Sequence, residues 1–266
     1  MYSAPASDPP ADPEPRARRL RVLSYNVQAG IATSRYHHYL THSWRHLVPH
    51  ARRWVNMDRI AAAGLHHFDV VGLQEIDAGS LRTNYINQAR YLAERAHFPY
   101  WHFQTNRAMG QLARHSNGLL SRIRPDHITD YKLPGLPGRG ALLTRFGPAQ
   151  GGLLVVVVHL ALSRRARHRQ LAFLGELLEG RDPVVVMGDF NCSAADPEMA
   201  FFTERTGLHL PAAELHTYPS WRPSRRLDHI LVSAQLAVDD AWVPAWAISD
   251  HLPVAVDLRL PAPAPA

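Results

Sequence analysis

Ten short runs rich in apolar and β-branched residues constrain the fold of this 266-residue chain more than any other feature. Each run has the length of a strand and is bounded by residues that favour turns, such as glycine, proline and asparagine. The predicted strands are Leu20–Tyr25, Asp69–Glu75, Tyr100–Gln104, Gly118–Arg122, Ile128–Leu133, Ala141–Phe146, Leu153–His159, Pro183–Gly188, His229–Val232 and Pro253–Leu258. One open sheet rarely holds so many strands without splitting. The pattern therefore predicts two packed sheets with helices on the outside.

Three segments carry the spacing expected of helices. They are Asn56–His67, Ile86–His97 and Ser163–Glu179. The last places Leu171, Leu174 and Leu178 on one face, which is the pattern of a half-buried helix. No linker or internal repeat divides the chain, so we predict one domain over residues 19–260. A disordered proline-rich tail at 1–18 and a Pro/Ala tail at 261–266 flank it.

Composition excludes several classes of protein. Hydrophobic residues make up 46% and charged residues 20% of the chain, which is the balance of a globular domain. No apolar run approaches the roughly 20 residues of a transmembrane helix. The single cysteine, Cys192, excludes a disulfide framework and a cysteine-built zinc site. Because no apolar stretch precedes Leu20 to act as a secretion signal, we expect a cytoplasmic protein.

The positive charge is compatible with an anionic ligand but does not identify one. The formal net charge is +6, and of 29 basic residues all but Lys132 are arginines. Arginine suits the recognition of phosphate, whereas codon usage in a GC-rich genome explains the same bias without a ligand. The sequence indicates no protein partner.

Polar residues recur at the ends of the predicted strands. The five clusters are Tyr25-Asn26, Gln74-Glu75, His159, Gly188-Asp189-Phe190-Asn191, and the pair Asp228-His229 and Ser249-Asp250-His251. A carboxylate buried at such a position is costly without a hydrogen-bond donor or a metal. A turn, a sheet edge or a core histidine explains each cluster taken alone. Taken together, their oxygen and imidazole ligands suit Mg²⁺ or Mn²⁺.

Seven motifs resemble those of the endonuclease/exonuclease/phosphatase superfamily, in the order of that family. They are LSYN, VGLQE, SNGLLSR, VVVHL, VVMGDFN, RLDHILV and SDHLPV, and they run from Leu23 to Val254. GDFN followed by SDH is the most specific part of the resemblance. The resemblance implies an α/β (α+β) fold, a four-layer sandwich of two packed mixed β-sheets flanked by helices. It also implies a metal-dependent hydrolase acting on phosphoester bonds.

The resemblance also assigns roles to residues at the motif positions. It implies a metal site for Mg²⁺ (or Mn²⁺) at Asn26, Glu75 and Asp250. It implies that Asp189 orients or deprotonates the attacking water, with Asn191 beside it contacting phosphate. His251 and His159 are expected to face the phosphate, with Asp228 hydrogen-bonded behind His251. His229 stands where some branches have an aromatic residue, and its role is open.

The substrate does not follow from these motifs. The lysine that follows the glutamate motif in apurinic/apyrimidinic endonucleases is absent, since the chain continues as QEIDAGSLR. The sequence looks like a little-characterised bacterial branch of the superfamily. The candidate substrate-binding residues are Asn117, Arg82, Arg164 and Arg225. The histidine-rich stretch at 37–50 is read as a surface loop, a substrate lid or a second metal site.

The leading hypothesis is a Mg²⁺-dependent phosphodiesterase that uses an activated water for in-line attack. Its phosphate-ester substrate is a small phosphodiester, a phospholipid headgroup or a nucleic acid. The alternatives are a metal-dependent endonuclease or exonuclease on DNA or RNA, and a phosphomonoesterase. A non-catalytic nucleic-acid-binding module is disfavoured, because no ligand position of the family motifs is degraded.

Overall fold

A computed structural model describes residues 19–30, 51–181, 183–211 and 215–261. The tail at 1–18, residues 262–266 and the histidine-rich stretch at 37–50 lie outside the described residues, so the predictions made for them stay predictions. Among the described residues, no helix is both long and apolar enough to cross a membrane. The domain bounds and the cytoplasmic location also stay predictions.

Eleven strands are present in the described part of the chain. They are β1 (Arg19–Asn26), β2 (Val70–Asp77), β3 (Tyr100–Met109), β4 (Ala113–Ser121), β5 (Pro125–Lys132), β6 (Gly140–Phe146), β7 (Leu154–His159), β8 (Val184–Asp189), β9 (Asp228–Val232), β10 (Ala237–Trp242) and β11 (Val254–Arg259). They form a six-stranded sheet of order β10-β11-β1-β2-β4-β3 and a five-stranded sheet of order β5-β6-β7-β8-β9. Both sheets are mixed, because β1 pairs in parallel with β2 and β7 with β8, while the other pairs are antiparallel.

Four α-helices lie in the described residues: α1 (Ala51–Ala62), α2 (Gln88–Arg95), α3 (Arg164–Leu178) and α4 (Pro197–Thr206). Three apolar clusters hold the layers together. One packs α1 and α2 onto the first sheet, through residues such as Ile60 and Leu92. A second lies between the sheets, and a third packs α3 and α4 onto the second sheet. Each sheet is therefore covered on one face by helices and on the other by its partner sheet.

This architecture confirms the predicted four-layer sandwich of two packed mixed β-sheets flanked by helices. Each of the ten predicted strands overlaps an observed one. Helix α1 begins five residues before the predicted start and ends at Ala62, and a separate 3-10 turn covers Leu65–His67.

Strand β10 and helix α4 were not predicted, for different reasons. The sequence of β10, AVDDAW, contains two aspartates, which are depleted in strands, and only its position at the sheet edge next to β11 makes it a strand. Helix α4 did carry usable signals. Pro197 occupies its first turn, and Gly207 ends it in the left-handed conformation.

Candidate active site

The strand topology brings four of the predicted polar clusters to one place. Parallel pairing of β7 with β8 sets His159 opposite Asp189, and antiparallel pairing of β8 with β9 sets Asp189 opposite Asp228. Asn26 at the end of β1 reaches across from the other sheet, and its Nδ2 lies 3.1 Å from Asp189 Oδ2. The site therefore sits where the ends of β1 and β2 meet the ends of β7 and β8.

A β-bulge in β2 turns Glu75 toward this site. The register with β4 shifts between Leu73 and Ile76, so Gln74 and Glu75 together oppose Asn117. Glu75 adopts a left-handed backbone conformation, with φ of 56°. Its side chain is 34% exposed, and Oε1 lies 3.3 Å from Asn26 Nδ2. Bulges of this kind redirect a side chain out of its regular alternation, which here leaves a carboxylate facing solvent at the edge of a buried site.

Close packing of β7 against β8 fixes the position of Asp189. Gly188 has a φ of 154°, and a side chain there would collide with the carbonyl oxygen of Val158 on β7. Asp189 Oδ1 accepts a hydrogen bond from the backbone N of Asn191 at 2.9 Å. Asn191 donates through Nδ2 to the carbonyl of Leu160 at 2.9 Å. The carboxylate of Asp189 is therefore held by its own loop, with Oδ2 toward the other site residues.

His251 and Asp228 form the predicted hydrogen-bonded pair. His251 Nδ1 lies 2.8 Å from Asp228 Oδ2, and both side chains are buried. Thr217 Oγ1 donates to the same carboxylate oxygen at 2.6 Å. On the opposite edge of the ring, His251 Nε2 lies 3.9 Å from Asp189 Oδ2. This arrangement directs Nε2 toward the reacting centre.

The second histidine of the site has a different partner. His159 Nε2 lies 3.4 Å from Asp189 Oδ2 and 3.9 Å from Glu75 Oε1. Its Nδ1 contacts a guanidinium, since Arg139 Nη1 lies 3.0 Å away. Two buried histidines therefore face Asp189. His251 is hydrogen-bonded to the carboxylate of Asp228, and His159 is hydrogen-bonded to Arg139.

Burial and neighbouring charges shift the pKa values in opposite directions. Burial raises the pKa of Asp189 to about 7; His251 opposes this increase and the Asp228 carboxylate adds to it. Burial and the nearby Asp250 likewise raise the pKa of Glu75. Burial opposes protonation of His251, but Asp228 and Asp189 outweigh it and hold its pKa well above the usual value. The pKa of His159 is lowered well below its usual value by burial and by Arg139.

The donor set fits a hard divalent cation. Asp189, Asp228 and His251 each offer a ligand atom, and these atoms lie within 4.8 Å of one another. Asp228 Oδ1 is buried without a hydrogen-bond partner among the described residues. Burial raises the pKa values of Glu75 and Asp189, and neighbouring carboxylates add to the increase, so a bound cation would stabilise both charged carboxylates. The carboxylate oxygens of this group are ligands typical of hard divalent cations.

A cleft of about 260 Å³ opens beside Glu75 and His159. The predicted Asn117 lies in its wall, where its Nδ2 donates to the carbonyl of Gly140 at 3.0 Å. Arg139 and His115 also line the cleft, and neither was singled out from the sequence. The available signal for Arg139 was its place after a proline- and glycine-rich turn, directly before strand β6.

Three of the predicted residues lie elsewhere. Arg82 is buried, and its Nε pairs with Asp77 Oδ2 at 2.5 Å, so the structure places it in an internal ion pair and not in the cleft wall. Arg164 is exposed at the start of α3, 3.4 Å from Glu198. Arg225 is exposed beside Tyr218, whose ring packs 4.9 Å from that of His251. Arg225 is therefore close to the site without reaching the cleft.

His229 has the contacts of a structural residue. Its ring is fully buried and packs edge-on against Phe190. Nε2 lies 2.8 Å from the carbonyl oxygen of Cys192, to which it donates. Burial lowers the pKa of His229 to about 4, so the ring is neutral in this position.

Comparison with known proteins decides the family. The sequence pattern of the endonuclease/exonuclease/phosphatase family matches residues 23–251, a span that includes every residue of the site described above. The chain belongs to the endonuclease/exonuclease/phosphatase family. This confirms the predicted resemblance.

Relatives within the endonuclease/exonuclease/phosphatase family leave the substrate open. The uncharacterized protein YbhP of Escherichia coli K12 is 32% identical over 161 residues, which cover 55% of this chain and 63% of that protein. An endonuclease/exonuclease/phosphatase of Beutenbergia cavernae has the same fold, with a TM-score of 0.73 and 22% identity over 94% of this chain and 73% of that chain. A mannosyl-6-phosphatase of Bacteroides thetaiotaomicron has a TM-score of 0.66 and 20% identity, covering 90% and 99% of the two chains.

Proposed function

We propose that this protein is a Mg²⁺- or Mn²⁺-dependent phosphodiesterase that hydrolyses a compact phosphate ester by in-line attack of water. The observation that carries the proposal is the meeting of Asp189 with two histidines, His159 and His251, beside the carboxylate of Glu75. Hydrolysis of a phosphodiester requires a positioned water, neutralised phosphate oxygens and a stabilised leaving group. The site has a residue suited to each requirement.

Glu75, with Asn26 and Asp250, would hold the cation. A divalent ion bound there supplies Lewis-acid polarisation of a phosphate oxygen. Two observations support this set over one centred on Asp228. Glu75 is partly exposed to the cleft, whereas Asp228 is buried and already accepts hydrogen bonds from His251 and Thr217.

The remaining residues handle protons and charge. Asp189 has a pKa near 7, which suits a group that takes a proton from water at neutral pH. The His251 imidazolium, stabilised by Asp228, places positive charge where negative charge develops on the phosphate. Asn191, anchored at Leu160, lies next to Asp189 and is our candidate for a phosphate contact.

The dimensions of the cleft favour a compact ester. Its volume of about 260 Å³ is below the roughly 300–1,000 Å³ of pockets that hold drug-sized ligands. Arg107 and Arg139 line it with positive charge, and Asn106 and Asn117 provide polar groups. These features support a small anionic phosphodiester as substrate, in preference to a long nucleic acid.

The decisive experiment compares hydrolysis of bis-p-nitrophenyl phosphate and p-nitrophenyl phosphate with Mg²⁺, with Mn²⁺ and with EDTA. We expect cation-dependent turnover that favours the diester. Glu75→Gln should lower kcat by orders of magnitude at saturating Mg²⁺ without unfolding the protein, because it removes the charge that would hold the cation. Glu94→Gln is the matched control, since Glu94 is exposed on α2 and pairs with Arg90 one helical turn away.

Three results would change the assignment. Preference for the monoester would make the protein a phosphomonoesterase. Near-normal turnover of Glu75→Gln would remove Glu75 from the metal site. Nucleic-acid binding that is insensitive to EDTA, with no turnover of any phosphate ester, would favour a non-catalytic binding module.

A further inference from the structure

The two site histidines differ in the group that holds their Nδ1 atoms. Asp228 Oδ2 lies 2.8 Å from Nδ1 of His251, so that nitrogen carries a proton and donates it to the carboxylate. Arg139 Nη1 lies 3.0 Å from Nδ1 of His159. A guanidinium has only donors, so Nδ1 of His159 must be the acceptor and carries no proton. Nδ1 is therefore a hydrogen-bond donor in His251 and a hydrogen-bond acceptor in His159.

We propose that Arg139 is a positioning residue, which holds His159 with its proton on Nε2 and directs that N–H at the reacting phosphate. This inference rests on the proposed function for its catalytic meaning, and on the hydrogen-bond geometry for the state of the ring. A neutral imidazole that accepts at one nitrogen donates at the other. His159 Nε2 lies 3.4 Å from Asp189 Oδ2 and 3.9 Å from Glu75 Oε1, at the centre of the site.

The local backbone explains why Arg139 can hold the ring in one place. The backbone N of Leu133 donates to the carbonyl of Arg139 at 3.1 Å, which closes the turn between β5 and β6. Gly138 takes a left-handed conformation with φ of 117°. On the other side, a side chain at Gly140 would displace the side chains of Asn106 and Gln104, which pack against the start of β6. The guanidinium is thus presented from an anchored turn.

Arg139 makes no direct ion pair with a carboxylate of the described residues. Among the described residues, no carboxylate oxygen lies within 4.0 Å of the Arg139 guanidinium, whereas Arg82 and Arg167 each have one. Arg139 is partly buried, and the carboxylates of Glu75 and Asp189 act on its charge, so the guanidinium belongs to the charge network of the site. Through the contact with Arg139, His159 becomes a hydrogen-bond donor to a phosphate oxygen, and it is excluded from acting as the base for the attacking water.

Nitrogen NMR of ¹⁵N-histidine-labelled protein with Mg²⁺ present tests the proposal directly. The spectrum of His159→Gln identifies the signals of His159 among those of the 17 histidines. We expect an unprotonated, hydrogen-bonded Nδ1 and a protonated Nε2 in the wild type. Arg139→Met should shift the Nδ1 signal away from its hydrogen-bonded position, and Arg139→Lys, which keeps a donor, should restore it.

Kinetics with a small phosphodiester provides the second readout. Loss of the contact leaves the ring misplaced, so Arg139→Met should lower kcat by about 10²-fold with a smaller change in KM. Arg139→Lys should recover most of that loss. Arg145→Met is the matched control, because Arg145 lies exposed on the adjoining strand β6 and should keep wild-type kcat and spectrum. Thermal unfolding of each variant confirms that it is folded.

The outcomes separate this proposal from the proposed function. A proton on Nδ1 of His159 in the wild type, or the same Nδ1 signal in wild type and Arg139→Met, would overturn the positioning role. A fall in kcat without a spectral change would also overturn it, in favour of direct substrate contact by Arg139. The expected spectra without any phosphodiester hydrolysis would uphold the ring assignment and reject the proposed function.

Discussion

The buried ion pair of Arg82 and Asp77 allows a test of whether Arg82 stabilises the fold or binds substrate. Their side chains are 1% and 0% exposed, and Arg82 Nε lies 2.5 Å from Asp77 Oδ2. Arg82→Met keeps much of the apolar volume and leaves the Asp77 carboxylate buried without its cation. Removing one partner of a buried pair typically costs about 3–5 kcal/mol.

The remaining contacts of Asp77 place the expected loss of stability near the lower end of this range. Its carboxylate also accepts from Ser80 Oγ at 2.8 Å, from Thr83 Oγ1 at 3.1 Å, and from the backbone N atoms of Gly79 and Arg114. These donors still solvate part of the charge, so we expect a loss of about 3 kcal/mol. For a chain of this size that corresponds to a fall in Tm of about 6–12 °C.

Thermal and urea unfolding measure the effect, with Arg90→Met as the matched control. Arg90 pairs with Glu94 one helical turn away, and both side chains are more than half exposed. Such exposed pairs contribute about 0.3–0.5 kcal/mol, so the control should unfold close to the wild type. An unchanged Tm for Arg82→Met together with a many-fold higher KM would refute the structural role and restore Arg82 as a substrate contact.

The same ion pair predicts a dependence of stability on pH. Burial alone would raise the pKa of Asp77, but the charge and hydrogen bond of Arg82 outweigh it and the pKa is lowered. A carboxyl with a lowered folded-state pKa stabilises the fold above its unfolded pKa of about 3.9, and that contribution is lost as the pH falls through the folded value. Lowering the pH below about 4 should therefore reduce the free energy of unfolding of the wild type more than that of Arg82→Met.

Three further measurements test other parts of the structure. Asp228→Asn should lower kcat by up to about 10⁴-fold, as when the buried aspartate of a serine-protease triad is changed; a kcat within twofold of wild type would contradict the pair with His251. Burial raises the pKa of the Cys192 thiol to about 12, so a thiol reagent at mildly alkaline pH should label it only in denaturant, and rapid labelling of the native protein would contradict its burial. Turnover of a small phosphodiester should depend weakly on salt between about 50 and 200 mM, whereas efficient plasmid cleavage that collapses over that range would point to a nuclease.

Several residues of the site could be placed from the sequence because their signals are local. His159 and Asp189 each follow a run of buried apolar residues, and that pattern alone predicts a strand with a polar end. The spacing of the GDFN and SDH motifs indicates the family, and the family resemblance implies that Asp228 and His251 pair. The 2.8 Å contact between these two side chains agrees with that expectation.

Only the tertiary structure decided the orientation of Glu75 and the partners of the arginines. The bulge that turns Glu75 to the cleft depends on how β2 registers against β4, which alternation along one strand does not encode. Arg82 and Arg139 each occur beside a glycine- or serine-containing turn, yet one pairs with a buried aspartate and the other with a histidine. Which partner an arginine meets depends on sheet order and packing between segments far apart in the chain. The sequence by itself therefore determined ten of the eleven strands in the described residues and the chemistry at their ends, and the packing of the two sheets determined which of those groups meet.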